Sequence, residues 1–215
     1  MLGKILRGLR GRTESARDDI PVITDVAESD LADKPFTPKP FAAKSAPKKK
    51  ATSESPEALP GLPFMIRPLE HGDLPLLADV FVSAIDGLTT RDYDESQRQA
   101  WQQKSNAPKF LSELSEGVTI IAEHHDTPIA FAQLHPKDYF RMMYVHPDWA
   151  GLGIATLMYQ YLEDEARIIG SQHLETHASD TARRFFESVG FKVQEEENVE
   201  VNGVSLHRTR MHKKL

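Results

Sequence analysis

Residues 144–155 read Tyr144-Val145-His146-Pro147-Asp148-Trp149-Ala150-Gly151-Leu152-Gly153-Ile154-Ala155, and they hold a strand end, a glycine turn and a helix start in one run. Apolar residues lead into the turn, and a helical pattern begins directly after it. A turn of this kind aims several backbone N–H groups at one point, where the helix dipole adds partial positive charge. Its natural guest is a phosphate or pyrophosphate, which the main chain can approach closely because glycine carries no Cβ. Taken alone, Gly151-Leu152-Gly153 is equally a tight strand-to-helix turn with no ligand.

Working outward, the periodicity sets the neighbours. Tyr139–Val145 reads as the strand before the turn. Ile154, Leu157, Met158, Tyr161, Leu162 and Ile169 share one face of a long helix stopped by Gly170. Upstream, Val118–Ala122 and Ile129–Leu134 read as two strands joined by a hairpin turn at Asp126-Thr127. Phe64–Pro68 reads as a first strand. Asp73 to about Ile85 and Glu95–Gln103 read as helices, and Phe110–Ser115 as a further helical turn. Downstream come a strand over His173–His177 and a helix over Thr181–Val189, closed by Gly190. The chain ends in a hairpin of Phe191–Val193 with Val204–Met211 about Asn202-Gly203. The order is β-α-α-β-β-β-α-β-α-β-β. Three central strands joined by hairpins are antiparallel, and the strand after the long helix returns by a crossover. A doubly wound nucleotide fold needs regular βα alternation, so the glycine turn belongs to a mixed α+β fold.

The chain has 215 residues, no cysteine and a formal net charge of −6. The missing cysteines exclude a disulfide framework, a cysteine nucleophile and thiolate metal sites, and fit a cytoplasmic location. Residues 1–60 hold 11 basic and 9 acidic side chains, whereas residues 61–215 hold 15 and 23. An acidic folded part argues against nucleic acid as partner. Residues 1–62 read as a disordered tail, with seven prolines between Pro21 and Pro60, a Lys48-Lys49-Lys50 cluster and few large apolar groups. Within residues 1–12, Ile5, Leu6 and Leu9 can share a helical face among Lys4, Arg7, Arg10 and Arg12. That pattern suits either a solvated basic end or a weak membrane-surface contact. The folded domain is expected over residues 63–215.

The chain resembles the GNAT superfamily of acetyl-CoA-dependent N-acetyltransferases. The family's central motif is a strand ending in Val-x-Pro, followed by Gln/Arg-x-x-Gly-x-Gly/Ala at a helix start. Here Val145-His146-Pro147 precedes Ala150-Gly151-Leu152-Gly153-Ile154-Ala155. Ala150 departs from the family's Gln or Arg. The second signature, Asn-x-x-Ala-x-x-Phe-Tyr-x-x-x-Gly-Phe, corresponds to Ser179, Ala182, Phe185-Phe186 and Gly190-Phe191. Arg91-Asp92-Tyr93, Ala100-Trp101 and the final hairpin are similar to the YafP-like branch. The resemblance implies a mainly antiparallel sheet flanked by helices, with acetyl-CoA in a V-shaped gap between the Tyr139–Val145 and His173–His177 strands. It assigns the pyrophosphate to the amides of Gly151, Leu152, Gly153, Ile154 and Ala155, and the pantetheine arm to the main chain of Met143, Tyr144 and Val145. Ser179 and Phe186 would complete the cofactor site, Ser179 also serving as helix N-cap.

The implied reaction is attack of a primary amine, on a small molecule or a protein, on the thioester in a ternary complex. It needs no metal. An amine with a pKa near ~10 must lose a proton first, so a base or water path is required. Tyr144, His146, His135, Glu123, Glu175 and His177 lie on or near the central strands, and His177 and Tyr144 are the chosen catalytic candidates. Phe186 stands where many family members carry a tyrosine acid, which leaves that role to Tyr144 or Tyr139, or to no group. Tyr93 and Trp101 lie in the helical region where the family builds its acceptor pocket. A CoA-binding regulatory or adaptor module with little catalysis is the competing reading, and a homodimer is compatible with either. His124-His125 lacks a third ligand at metal-binding spacing.

Overall fold

The computed structural model describes residues 63–215; the expectations for residues 1–62 lie outside the described residues. The elements are β1 (Met65–Pro68), α1 (Leu74–Leu88), α2 (Glu95–Gln102), α3 (Pro108–Leu114), β2 (Val118–His124), β3 (Thr127–Leu134), β4 (Tyr139–Val145), α4 (Ile154–Ile168), β5 (His173–Ser179), α5 (Asp180–Ser188), β6 (Lys192–Val201) and β7 (Val204–Lys214). They form one seven-stranded sheet in the order β1-β2-β3-β4-β5-β7-β6. Every neighbouring pair is antiparallel except β4 with β5. The mainly antiparallel α+β architecture expected from the sequence is the one observed.

Two apolar clusters cover the two faces. One packs α4 and α5 through Met158, Leu162, Phe185 and Phe186 against Phe140, Met143 and Val145 of β4. The other packs α1–α3 through Leu77, Phe81, Trp101 and Phe110 against Phe131, Met142 and Tyr144. Each large side chain buried this way stabilises the fold by roughly 1.5–3 kcal/mol. At the end of β7, Lys213 donates to Tyr159 and Glu163 of α4, at 2.8 Å in each case. Burial alone would raise the Glu163 carboxyl pKa, but Lys213, Tyr159 and Arg167 outweigh it and hold the pKa below the usual range.

Two expectations need correction. The β2–β3 turn is His125-Asp126, not Asp126-Thr127: both residues have positive φ, 47° and 61°, and His124 pairs with Thr127. A turn with two left-handed residues suits Asp and His, whereas β-branched Thr is stiff and favours the strand. The strand β6 runs to Val201 rather than ending at Val193. Its glutamates, poor strand formers by themselves, pair across the ladder with arginines, Glu195 with Arg210 and Glu197 with Arg208. The further helical turn read over Phe110–Ser115 is the helix α3, Pro108–Leu114. The Asn202-Gly203 turn is as read, with φ of 50° and 79°.

Candidate active site

The strands β4 and β5 are in register at only two positions, Tyr139 with Glu175 and Phe140 with Thr176. Beyond them the strands part, and Met142–Val145 keeps its ladder to β3 but has none to β5. A β-bulge sits at the point of parting. Gln133 pairs with Met142 and Leu134 with Phe140, so Arg141 is an extra residue on β4. A bulge bends its strand and ends pairing on one side. It also explains why Phe140 and Met143, three apart, face the same cluster. Arg141 is held there by Glu116 at 2.8 Å and Glu113 at 3.4 Å.

The open end of the gap is the glycine turn. Gly151 and Gly153 have φ of 76° and 77°, and a Cβ built on either meets nothing within 4 Å. The turn is thus a main-chain cradle with space over it. Gly153 caps α4 without any side-chain hydrogen bond, so the first-turn amides have no side-chain acceptor. Leu152 is half-buried against the core, while Ile154 and Ala155 are buried. The approach to the turn is pinned twice. Trp149 packs on His124, with centroids 4.7 Å apart. A Cβ on Gly87 of α1 would fall 2.4 Å from Pro147, so glycine is what lets that helix approach the loop. His146 accepts from the Asp148 N–H at 3.3 Å, and burial lowers its pKa against the smaller opposing effect of Asp148.

The closed end is polar. His177, the first β5 residue past the paired positions, is 8% exposed. Its Nδ1 lies 2.7 Å from the Tyr139 hydroxyl and its Nε2 lies 3.2 Å from Glu197. Arg208 donates from Nε to the same Glu197 oxygen at 2.6 Å. Three strands therefore converge on one imidazole: β4 supplies Tyr139, β6 Glu197 and β7 Arg208. Glu175 lies one register step away. Sequence reading reached His177 and named Tyr139, but missed Glu197, Arg208, the bulge and Gly87. Only the Glu195–Glu197 run and the spacing of Arg208 and Arg210 hint at the first two, and the bulge and Gly87 leave no such mark.

The other candidates fall elsewhere. Tyr144 is fully buried between Phe81 and Phe131, with centroids at 4.7 and 5.3 Å. Burial pushes its phenol far up, partly offset by the Trp101 indole. That setting suits packing and not proton donation. The acceptor-pocket role expected of Tyr93 and Trp101 meets two buried side chains in edge contact at 5.4 Å. The Tyr93 hydroxyl donates to the His207 carbonyl at 2.6 Å and accepts from the Asp180 N–H at 3.0 Å, tying the α1–α2 loop to α5 and β7. Among the described residues, Trp101 Nε1 meets no acceptor at full hydrogen-bonding geometry, although the indole lies close enough to Tyr144 to act on its phenol. Glu123 pairs with Arg67 on the β1 side of the sheet, and His135 lies 3.3 Å from Glu116. Ser179 caps α5 by accepting from the Ala182 N–H at 3.1 Å. Phe186 sits in the aromatic core with Phe185 and Phe191. The structure thus brings Tyr139, Glu175 and His177 together at one end of the gap, and the glycine turn lies at the other.

Comparison with known proteins follows this geometry. Residues 89–215 match the family model described as an acetyltransferase (GNAT) domain. The chain is 27% identical over 138 residues to the uncharacterized N-acetyltransferase YafP of Escherichia coli strain K12, covering 64% of this chain and 87% of that one. Among solved structures, a GCN5-related N-acetyltransferase from Rhodopseudomonas palustris, described as an aminotransferase of class II, is 34% identical. It superposes with a TM-score of 0.69 over 74% of this chain and 100% of its own. The PaiA N-acetyltransferase from Thermoplasma acidophilum, solved with coenzyme A, shares the fold at 18% identity and a TM-score of 0.58, over 72% of this chain and 100% of its own.

Proposed function

Since the chain belongs to the GNAT acetyltransferase family, we propose that it transfers an acetyl group from acetyl-CoA to a primary amine by direct attack in a ternary complex. The observation that carries this reading is the gap itself, with a main-chain cradle fit for phosphate at one end and, at the other, a buried Tyr139–His177 pair backed by Glu197. Acetyl-CoA supplies the activated thioester carbonyl. The amides of Gly151–Ala155 hold the pyrophosphate, and the β5-facing main chain of Met143–Val145 accepts the pantetheine arm as an added strand. Ser179 and Phe186 are fully buried, as the α5 cap and in the aromatic core, and would support the wall of the gap from behind. Five unpaired residues of β4 span about 17 Å at ~3.3 Å each, which brings the thioester down toward the bulge. An N–H of β4 there stabilises negative charge developing on the carbonyl oxygen.

Both nitrogens of His177 are engaged, so it receives the amine proton through Tyr139. The Tyr139 hydroxyl donates to Nδ1 while Nε2–H donates to Glu197. As the amine nitrogen bonds to the carbonyl carbon, Tyr139 takes its proton and passes its own to His177. Glu197 then stabilises the imidazolium, and the C–S bond breaks to release the thiolate. This is the orienting logic of a hydroxyl–imidazole–carboxylate triad, with the hydroxyl as a relay instead of a nucleophile. Tyr144 is assigned to packing in this scheme.

Calorimetry with acetyl-CoA, followed by thiol release over an amine panel, tests the proposal. Micromolar binding with amine-dependent release is expected. Binding with no release from any amine would favour a CoA-binding module, and absence of binding would remove the acetyl-CoA site.

A further inference from the structure

Two arginines, Arg208 and Arg210, project from β7 on the face that carries His177, and they are used differently. Arg208 is 5% exposed and clamped to Glu197 at 2.6 Å. Arg210 stands in register with His177 on β5 and Glu195 on β6. Among the described residues, its hydrogen bond runs from a terminal nitrogen to Glu175 at 3.5 Å, and its buried Nε has no partner. The side chain is 36% exposed. A guanidinium has five N–H donors in a fixed fork, and leaving them without acceptors in a partly desolvated place is costly. An arginine in this state, beside the group that receives the amine proton, is a receptor for a planar anion.

We propose that the acceptor is an amino acid or a similar short amine, and that Arg210 binds its carboxylate. The inference rests on the acetyl-transfer reading and names its substrate class. Cross-strand neighbours on one face place their Cβ atoms roughly 5 Å apart. A carboxylate on the Arg210 fork therefore brings an amine a few bonds away to the Tyr139–His177 pair. A carboxylate meets the fork in two parallel hydrogen bonds, which fixes the orientation of the amine as well as its affinity. The surrounding charges fit a zwitterion. Glu175 and Glu197 flank the position of the ammonium group, and Glu195 stands beyond Arg210 on β6.

The experiment measures thiol release with free L-amino acids and β-alanine against the corresponding amides and decarboxylated amines, on the full chain and on Arg210→Gln and Arg210→Lys. Acetyl-CoA affinity and melting temperature are read on each variant. The expected result is a preference for the free acids of at least tenfold in kcat/KM. Arg210→Gln should raise KM for the acids about tenfold, leave the amides unchanged and leave acetyl-CoA affinity intact, with Arg210→Lys between. Amides turned over as well as acids, equal losses for both in Arg210→Gln, or no amino acid accepted by a protein that binds acetyl-CoA would each overturn the proposal. Failure of the wild-type protein to bind acetyl-CoA would instead remove the reading beneath it, and the carboxylate site with it.

Discussion

The two ends of the β4–β5 gap are built from different materials. The open end is main chain: two left-handed glycines and the uncapped first turn of α4, all within the segment from Gly151 to Ala155. The closed end is side chain, with Tyr139, His177, Glu197 and Arg208 drawn from four strands. A main-chain site can grip a phosphate through geometry alone, so it tolerates almost any side chain that leaves the backbone in place. A side-chain site has chemistry to lose at each position. The difference predicts that the closed end controls turnover and the open end controls affinity.

The largest effect should come from the closed end. Tyr139→Phe and His177→Gln are expected to lower kcat by about 10²–10³, the range of a single proton-transfer group, while acetyl-CoA affinity stays within about twofold. Full activity in Tyr139→Phe would break the comparison by making the closed end structural.

At the open end, Gly153→Ala should weaken acetyl-CoA binding about tenfold, with kcat at saturation kept. Strain has to be separated from blockage, because any L-residue at φ of 77° costs roughly 1–2 kcal/mol. Gly170 supplies the control. It has φ of 82° and open space around a built Cβ, and it lies at the far end of α4. Gly170→Ala should lower the melting temperature as much as Gly153→Ala while leaving acetyl-CoA affinity untouched. Equal affinities in the two variants would deny the turn its phosphate role.

The same contrast accounts for what the sequence made legible. The open end is local, so the run from Tyr144 to Ala155 disclosed strand, turn and helix together, and the antiparallel pairing of β2, β3 and β4 followed from hairpin-length connections. The closed end joins residues about 70 positions apart, from Tyr139 to Arg208, and no local period marks such a meeting. His177 was reachable because it lies on the strand that borders the gap. Glu197 was hidden in a glutamate run that reads as loop until β7 is set beside it. The bulge at Arg141 left no trace in an unbroken run of Tyr-Phe-Arg-Met-Met-Tyr-Val, since one extra residue shifts register without changing composition. Tyr93 and Trp101 drew attention as aromatics in a variable helical region, yet their burial follows from α2 lying against β7.

The smallest expected effect lies on the lead-in to the glycine turn and probes whether the open end is purely main chain. His146 accepts from the Asp148 N–H only when its Nδ1 is unprotonated. Its pKa in the folded protein is lowered from the ordinary 6.5, burial being the larger cause. The unfolded chain then takes up the proton first as pH falls. The contribution to stability is complete above pH 6.5 and is lost as pH drops from there through the lowered folded value. One neutral hydrogen bond is at stake, about 0.5–1 kcal/mol. His146→Asn keeps an acceptor but does not titrate, so the wild-type protein should lose melting temperature relative to this variant below pH 6.5 and match it at pH 8. Parallel curves would mean that the loop is held by Trp149 and Pro147 alone. A parallel fall in acetyl-CoA affinity would show that a side chain at the other end of β4 from the reacting carbonyl sets how well the main chain grips its anion.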